Sequence, residues 1–244
     1  MNVELINISK VFNKDAENEV LALDNISTEF HAGEWVYVIG GNGSGKSTLL
    51  KSIIGELKID SGKINFNNCL PDDIVFVDQA TSKNLIPSMS IYENLIFGFK
   101  NAGVLPNLKF YKQNKYKEQI INVLAEFSLG LEKRLDEQVR FLSGGEQQII
   151  VASRILLSSP KIIFMDEFSA NLDQKWAPFI LKKLKEYSLN NNIITIAVTH
   201  DFSQIENIGN RLVVMRNGKI IEDKKENTFN FTTNSILNLF YEIQ

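Results

Sequence analysis

Cysteine is nearly missing from this chain: Cys69 is the single one among 244 residues, so no disulfide can form within it. Histidine is almost as scarce, and two histidines with one thiol cannot build the Cys/His sets that hold structural zinc. This cysteine usage fits a reducing compartment. No run approaches the roughly 18 consecutive apolar residues of a membrane-spanning helix. The opening residues, MNVELINISKVF, lack the basic-then-apolar pattern of a secretory signal. Contact with a membrane is therefore expected only through a partner. An excess of one charge is absent too: 26 Lys and Arg stand against 29 Asp and Glu, a net of −3 that points away from nucleic acid as a partner. Repeats, low-complexity tracts and long linkers are also missing; NNN at 190–192 reads as a short loop.

What is present is a set of strand-length apolar runs. VELINI and LDNISTEF alternate apolar and polar residues, as half-buried strands do. WVYVI (35–39) is apolar throughout, the texture of a strand covered on both faces in a parallel sheet. IVFV (74–77), KIIFM (161–165), IITIAV (193–198) and RLVVM (211–215) repeat it, with helical stretches between several of them. This is an α/β pattern. Between Gln79 and about Pro160 the texture changes: SIYENLIFGF, KYKEQIINVLAEFSL and EQQIIVASRILL all have helical spacing. The expected organisation is one domain over 1–244. Residues 1–80 and 160–230 form the α/β core, and 81–159 an inserted helical lobe. Residues 231–244 form a last amphipathic helix, which either packs its Ile/Leu/Phe face on the core or docks a partner.

Four strand ends carry the chemistry. GGNGSGKS (40–47) satisfies G-x-x-x-x-G-K-[ST], with a buried strand before it and helix-forming STLLKSIIG after it. Gly40, Gly41, Asn42, Gly43, Ser44 and Gly45 let backbone N–H groups wrap a phosphate chain. The helix start, through Thr48, adds its partial positive charge. Lys46 is placed to reach the β- and γ-phosphates of a nucleotide, and Ser47 to hold Mg²⁺. KIIFMDEF (161–168) is a buried strand ending in two acids. Asp166 lies at the strand's carboxyl end, where α/β sheets bind ligands, and is expected to bind Mg²⁺ directly or through water. Glu167 is the candidate to polarise the attacking water. His200 follows the strand in AVTHD, where a ring N–H could bond the γ-phosphate. Gln79 ends IVFVDQ, and its amide could serve Mg²⁺ or the water through oxygen and a neighbour through nitrogen. Lys46, Gln79, Glu167 and His200 form the predicted catalytic set; Ser47, Gln79 and Asp166 form the predicted metal set.

In this order the motifs resemble the ATP-binding subunit of ABC transporters over nearly the whole chain. The P-loop is GGNGSGKS, the Q-loop residue is Gln79 and the signature is LSGGEQQ (142–148). Walker B is IIFMDE, the D-loop is SANLD (169–173) and the switch histidine is His200. The resemblance implies a P-loop NTPase of the ABC type: a RecA-like α/β core, an antiparallel β subdomain and an inserted helical lobe. It also implies that Phe12, where the family more often has tyrosine, stacks on adenine, with local packing as the plainer reading. Asp173 is implied in nucleotide binding through the D-loop. Two ATPase subunits, identical or closely related, would sandwich two ATP molecules. Ser143 and the N–H groups of Gly144 and Gly145 would then meet the γ-phosphate bound to the other chain.

Ser143 and Glu146 are also spaced as S-x-x-E, a capping box at a helix start. The acid therefore has two readings, a local cap or a contact with ATP. The subgroup has two readings as well. LGLEKRLDEQVRFLSGG and IGNRLVVMRNGKIIED look like ATPase subunits of binding-protein-dependent importers, including the aromatic amino acid type. LSGGEQQ, NLD and VTHD look like the lipoprotein-release and macrolide-export group, and a non-transport ABC ATPase is a further alternative. Permease subunits, a substrate-binding protein and peripheral attachment at the cytoplasmic face of the membrane are implied. NLIPSMSIYENLIFGF (84–99) is either permease-contacting surface or lobe core.

Overall fold

The computed structural model describes residues 1–79, 81–99, 114–168 and 176–242. A three-stranded antiparallel sheet places β1 (Asn2–Phe12) between β2 (Val20–His31) and β4 (Ser61–Asn67). The second sheet holds β3 (Trp35–Ile39), β5 (Ile74–Val77), β6 (Ile162–Asp166), β7 (Ile194–Val198), β8 (Arg211–Arg216) and β9 (Lys219–Lys225). Its order is β5-β6-β7-β3-β8-β9, parallel up to the final β8–β9 hairpin.

Of the uniformly apolar runs, WVYVI became an inner strand, where both faces are covered, while IVFV (β5) lies at the sheet edge and is half-buried. In β3, Trp35, Tyr37 and Ile39 enter the core under the helices, while Val36 and Val38 enter the core shared with the antiparallel sheet. Each such Val or Ile contributes roughly 1.5–3 kcal/mol by burial. Two strands had no counterpart in the sequence reading. β4 has no fully buried residue; β9 alternates exposed and half-buried residues and carries five charges in seven positions. Charge on a strand at a sheet edge discourages pairing with another chain.

The helices are α1 (Lys46–Ile53), α2 (Thr81–Asn84), α3 (Ile91–Ile96), α4 (Asn114–Ala125), α5 (Gly144–Ser158), α6 (Ala177–Asn190), α7 (Phe202–Ile208) and α8 (Thr233–Glu242). Helices α2 to α5 all lie between β5 and β6 in the chain. Within 84–99, Leu85, Ile91, Tyr92, Leu95 and Ile96 are buried while Ile86 and Phe97 are exposed, so this stretch is mostly core with two apolar residues outside. Ser90 and Glu93 cap α3 reciprocally. Buried Asn94 donates to the carbonyls of Ile86 and Ser90 at 3.0 Å and accepts the Ile86 N–H at 2.7 Å, tying the preceding loop to the helix. The terminal helix packs inward: Ile236 is buried, Phe240 lies against Phe202, and Glu206 of α7 accepts the Thr233 N–H at the start of α8. No helix among the described residues is long and apolar enough to cross a membrane.

Candidate active site at the carboxyl edge of the parallel sheet

β3 delivers the chain into the Gly40–Gly45 turn, and two of its glycines are required by crowding. A β-carbon at Gly40 would stand 2.2 Å from the Met215 carbonyl oxygen; one at Gly45, where φ is +104°, would stand 2.5 Å from that of Ala22. Ser44 closes the turn by donating its N–H to the Gly41 carbonyl at 3.2 Å, with Asn42 and Gly43 at the exposed tip. Lys46 is buried, and its ammonium donates to the carbonyls of Gly40 at 2.9 Å and Gly41 at 3.0 Å. Burial holds this ammonium below the ordinary lysine range, against the opposing pull of Glu167 and Asp166. The cation is thus stored where the loop's backbone curls. Ser47 and Thr48 follow in the first turn of α1.

Asp166 is the last residue of β6, and Ser47 Oγ donates to its Oδ1 at 3.3 Å. Burial raises the Asp166 pKa; the Ser47 hydroxyl opposes this, and the Glu167 carboxylate adds to it. A hydroxyl beside a carboxylate that is costly to keep charged is an oxygen-donor pair suited to a hard divalent cation such as Mg²⁺. Glu167 comes next, with φ +50°, a conformation that L-residues other than glycine seldom adopt. Its N–H donates to the Val198 carbonyl at 3.1 Å. Its two carboxylate oxygens are shared out: Gln79 Nε2 donates to Oε2 at 2.8 Å, and His200 Nε2 lies 2.9 Å from Oε1. Gln79 and His200 each sit two residues beyond the end of a strand, β5 and β7, which flank β6 on either side. Three neighbouring strand ends therefore converge on one acid. The Gln79 amide nitrogen makes the neighbour bond expected of it.

Phe12 ends β1, paired with Val20, and the Lys10 ammonium lies 5.5 Å from the centre of its ring. Asp173 and the rest of the predicted D-loop fall outside the described residues.

At the start of α5 the reciprocal cap is present. Glu146 N–H donates to Ser143 Oγ at 3.3 Å, while Glu146 Oε2 accepts the Ser143 N–H at 2.8 Å and its hydroxyl at 2.9 Å. Gly144 and Gly145 are the first two helical residues. A β-carbon at Gly144 would meet nothing within 4 Å, so its own chain gives no reason for a glycine there. One residue escaped the sequence reading: Arg134, just after the 3-10 turn Leu131–Lys133, reaches Glu146 and Glu137 together. Glu137 is a near neighbour in sequence, but no short-range spacing could have revealed the link to Glu146.

The ABC transporter family model matches residues 23–170, from early in β2 past the P-loop, Gln79, the signature and the two acids at the end of β6. The chain belongs to the ABC transporter family. As an ABC ATPase it binds and hydrolyses ATP. It is 33% identical over 248 residues to a tyrosine transport ATP-binding protein of Clostridioides difficile (strain R20291), covering 98% of each chain. It is 31% identical to the energy-coupling factor transporter ATP-binding protein EcfA2 of Caldanaerobacter subterraneus subsp. tengcongensis, over 90% of this chain and 78% of that one. Among solved structures, the dimeric post-hydrolysis state of the ATP-binding cassette MJ0796 bound to ADP and Pi matches with a TM-score of 0.73 at 27% identity. That match spans 93% of this ABC ATPase and all of the cassette.

Proposed function

We propose that this ABC ATPase drives an import system, working as a pair of such chains beneath membrane permease subunits at the cytoplasmic face. The observation that carries the two-chain part is the start of α5. Ser143 and Gly144 are exposed, they bond nothing in the P-loop, and Gly144 has open space where a β-carbon would be. A helix start that is kept bare suits close approach by a phosphate from outside the chain. The dimeric cassette similar to this chain supports the same reading.

In each site the Gly40–Gly45 backbone and the α1 start hold the triphosphate, and Lys46 leaves its carbonyl partners for the β- and γ-phosphates. Phe12 and Asp173 are proposed to contact the nucleotide as well. Ser47, Asp166 and Gln79 would hold Mg²⁺, which supplies neutralisation of phosphate charge when bound. Glu167 positions and deprotonates the attacking water. His200 and Gln79, both within reach of the Glu167 carboxylate, orient it, and His200 is placed to turn a ring N–H toward the γ-phosphate. Ser143, Gly144 and Gly145 of the second chain complete the site.

The permease is proposed to occupy a groove of about 600 Å³ between β5 and the lobe, lined by Phe76, Lys83, Phe97, Phe99, Val151 and Arg154. Likeness along the whole chain to a tyrosine transport ATP-binding protein makes an aromatic amino acid the proposed cargo. A substrate-binding protein would deliver it.

The test is size-exclusion chromatography of Glu167→Gln protein with and without ATP. ATP is expected to shift it to a dimer, because hydrolysis no longer undoes closure. Adding Ser143→Arg should abolish the shift while each monomer still binds ATP. A Glu167→Gln protein that stays monomeric at saturating ATP overturns the two-chain reading.

A further inference from the structure

Glu146 sets a carboxylate in the first turn of α5, two residues from the bare helix start at Gly144. On the two-chain reading, that start must receive the γ-phosphate held by the other copy, so an uncompensated carboxylate there would repel the group it is meant to meet. It is compensated. Arg134 Nη1 donates to Glu146 Oε1, while Nε and Nη2 hold Glu137 in a two-pronged pair at 2.7 and 2.8 Å. The second Glu146 oxygen takes both the N–H and the hydroxyl of Ser143. Partial burial works against the Glu146 charge, yet Ser143 and Arg134 together hold its pKa below the ordinary glutamate range.

A continuous chain of polar contacts thus runs Glu137–Arg134–Glu146–Ser143, ending on the Ser143 hydroxyl, which donates to Glu146. We propose that Arg134 is a positioning residue for the signature: it neutralises Glu146 and pins that carboxylate on Ser143, so the helix start stays electrically open to a partner's γ-phosphate. This rests on the two-chain reading. The planar guanidinium suits the task, because it can hold one carboxylate in a fork and a second on its remaining donor. When phosphate arrives, the serine hydroxyl turns its proton outward, and Glu146 still holds the Ser143 N–H. Loss of Arg134 leaves two carboxylates against the incoming charge. The damage falls on engagement of the second chain and spares nucleotide capture by the P-loop.

The test uses the Glu167→Gln chain and reads the ATP concentration that gives half-maximal dimer. Arg134→Gln is expected to raise it about three- to tenfold at low ionic strength, less at high salt. Arg134→Lys, which keeps the charge, should fall between the two. ATP binding to the monomer, measured at dilutions where no dimer forms, should not change. In a Glu146→Gln background the Arg134→Gln effect should shrink to about twofold or less, since the carboxylate being neutralised is gone. A purely structural Arg134 would give the same penalty in both backgrounds, and that result overturns the proposal. So does an unchanged ATP requirement, an Arg134→Lys chain as impaired as Arg134→Gln, or a loss of monomer affinity. A Glu167→Gln parent that never dimerises overturns the two-chain reading and this inference together; failure of the Arg134 variants alone leaves the two-chain reading standing.

Discussion

Glu167 carries two separable properties, a carboxylate between Gln79 and His200 and a backbone held at φ +50°. Substitution by Gln, Ala and Gly takes them apart. For an L-residue the left-handed region costs about 1–2 kcal/mol. Glycine escapes that cost but loses roughly 0.5–1 kcal/mol more than alanine through the entropy of the unfolded chain. Both small residues lose the same side-chain bonds, so their difference isolates the backbone: Glu167→Gly should be more stable than Glu167→Ala by about 0–1.5 kcal/mol. In a chain of this length that is up to ~6 °C in melting temperature. All three variants remove the proposed base and should lose about 100- to 10,000-fold in ATP turnover, about 3–5 kcal/mol of barrier. Paired thermal melts and steady-state phosphate release measure both. An alanine variant that melts above the glycine variant would refute the strain at this position, and wild-type turnover by Glu167→Gln would refute the base.

Asp166→Asn should raise the melting temperature in magnesium-free buffer near neutral pH while it lowers magnesium-dependent turnover, because it removes a buried charge that folding disfavours. The sign follows from a pKa raised on folding: the penalty is felt above the unfolded value, so the gap between the two proteins should close as pH falls toward 3.8. A wild type more stable than Asp166→Asn at neutral pH would contradict this. Arg211 is 3% exposed and joins the two sheets, pairing with Asp223 and Glu34 and donating to the Glu29 carbonyl and the Thr28 hydroxyl. Arg211→Met should destabilise by about 3–5 kcal/mol by breaking a buried ion pair, although Glu34 keeps Lys225, with turnover per folded molecule unchanged well below the melting temperature. An unaltered melting temperature would show that this cluster does not hold the sheets together.

The inner strands were readable because full burial demands almost uninterrupted apolar sequence, as in WVYVI, IIFM and IITIAV, and IVFV was readable for its apolar run although it lies at the sheet edge. β4 and β9 were not, since an edge strand needs only one apolar face and may fill the other with Lys, Asp and Glu. The cap at Ser143 was legible for a local reason: its partner is three residues away, inside one helical turn. Arg134 completes the same network across chain outside any α-helix, where sequence distance carries no geometric information. The convergence on Glu167 falls between these cases. Each of Gln79, Glu167 and His200 could be placed at a strand end from its own neighbourhood. That two of them would both bond the third depends on β5, β6 and β7 lying side by side, which is a property of strand order.

Strand order also bears on how the protein is made. β3, which carries the P-loop, pairs only with β7 and β8: Trp35 opposite Thr195 and Val36 opposite Arg211. A nascent chain that has emerged through the whole helical lobe still has no neighbour for this strand on either side. The nucleotide site therefore belongs to the last stage of synthesis, and a polypeptide truncated anywhere before β7 should present GGNGSGKS as an unanchored loop with no grip on ATP. Quality control that senses bound nucleotide would in effect be checking that the ribosome had nearly finished.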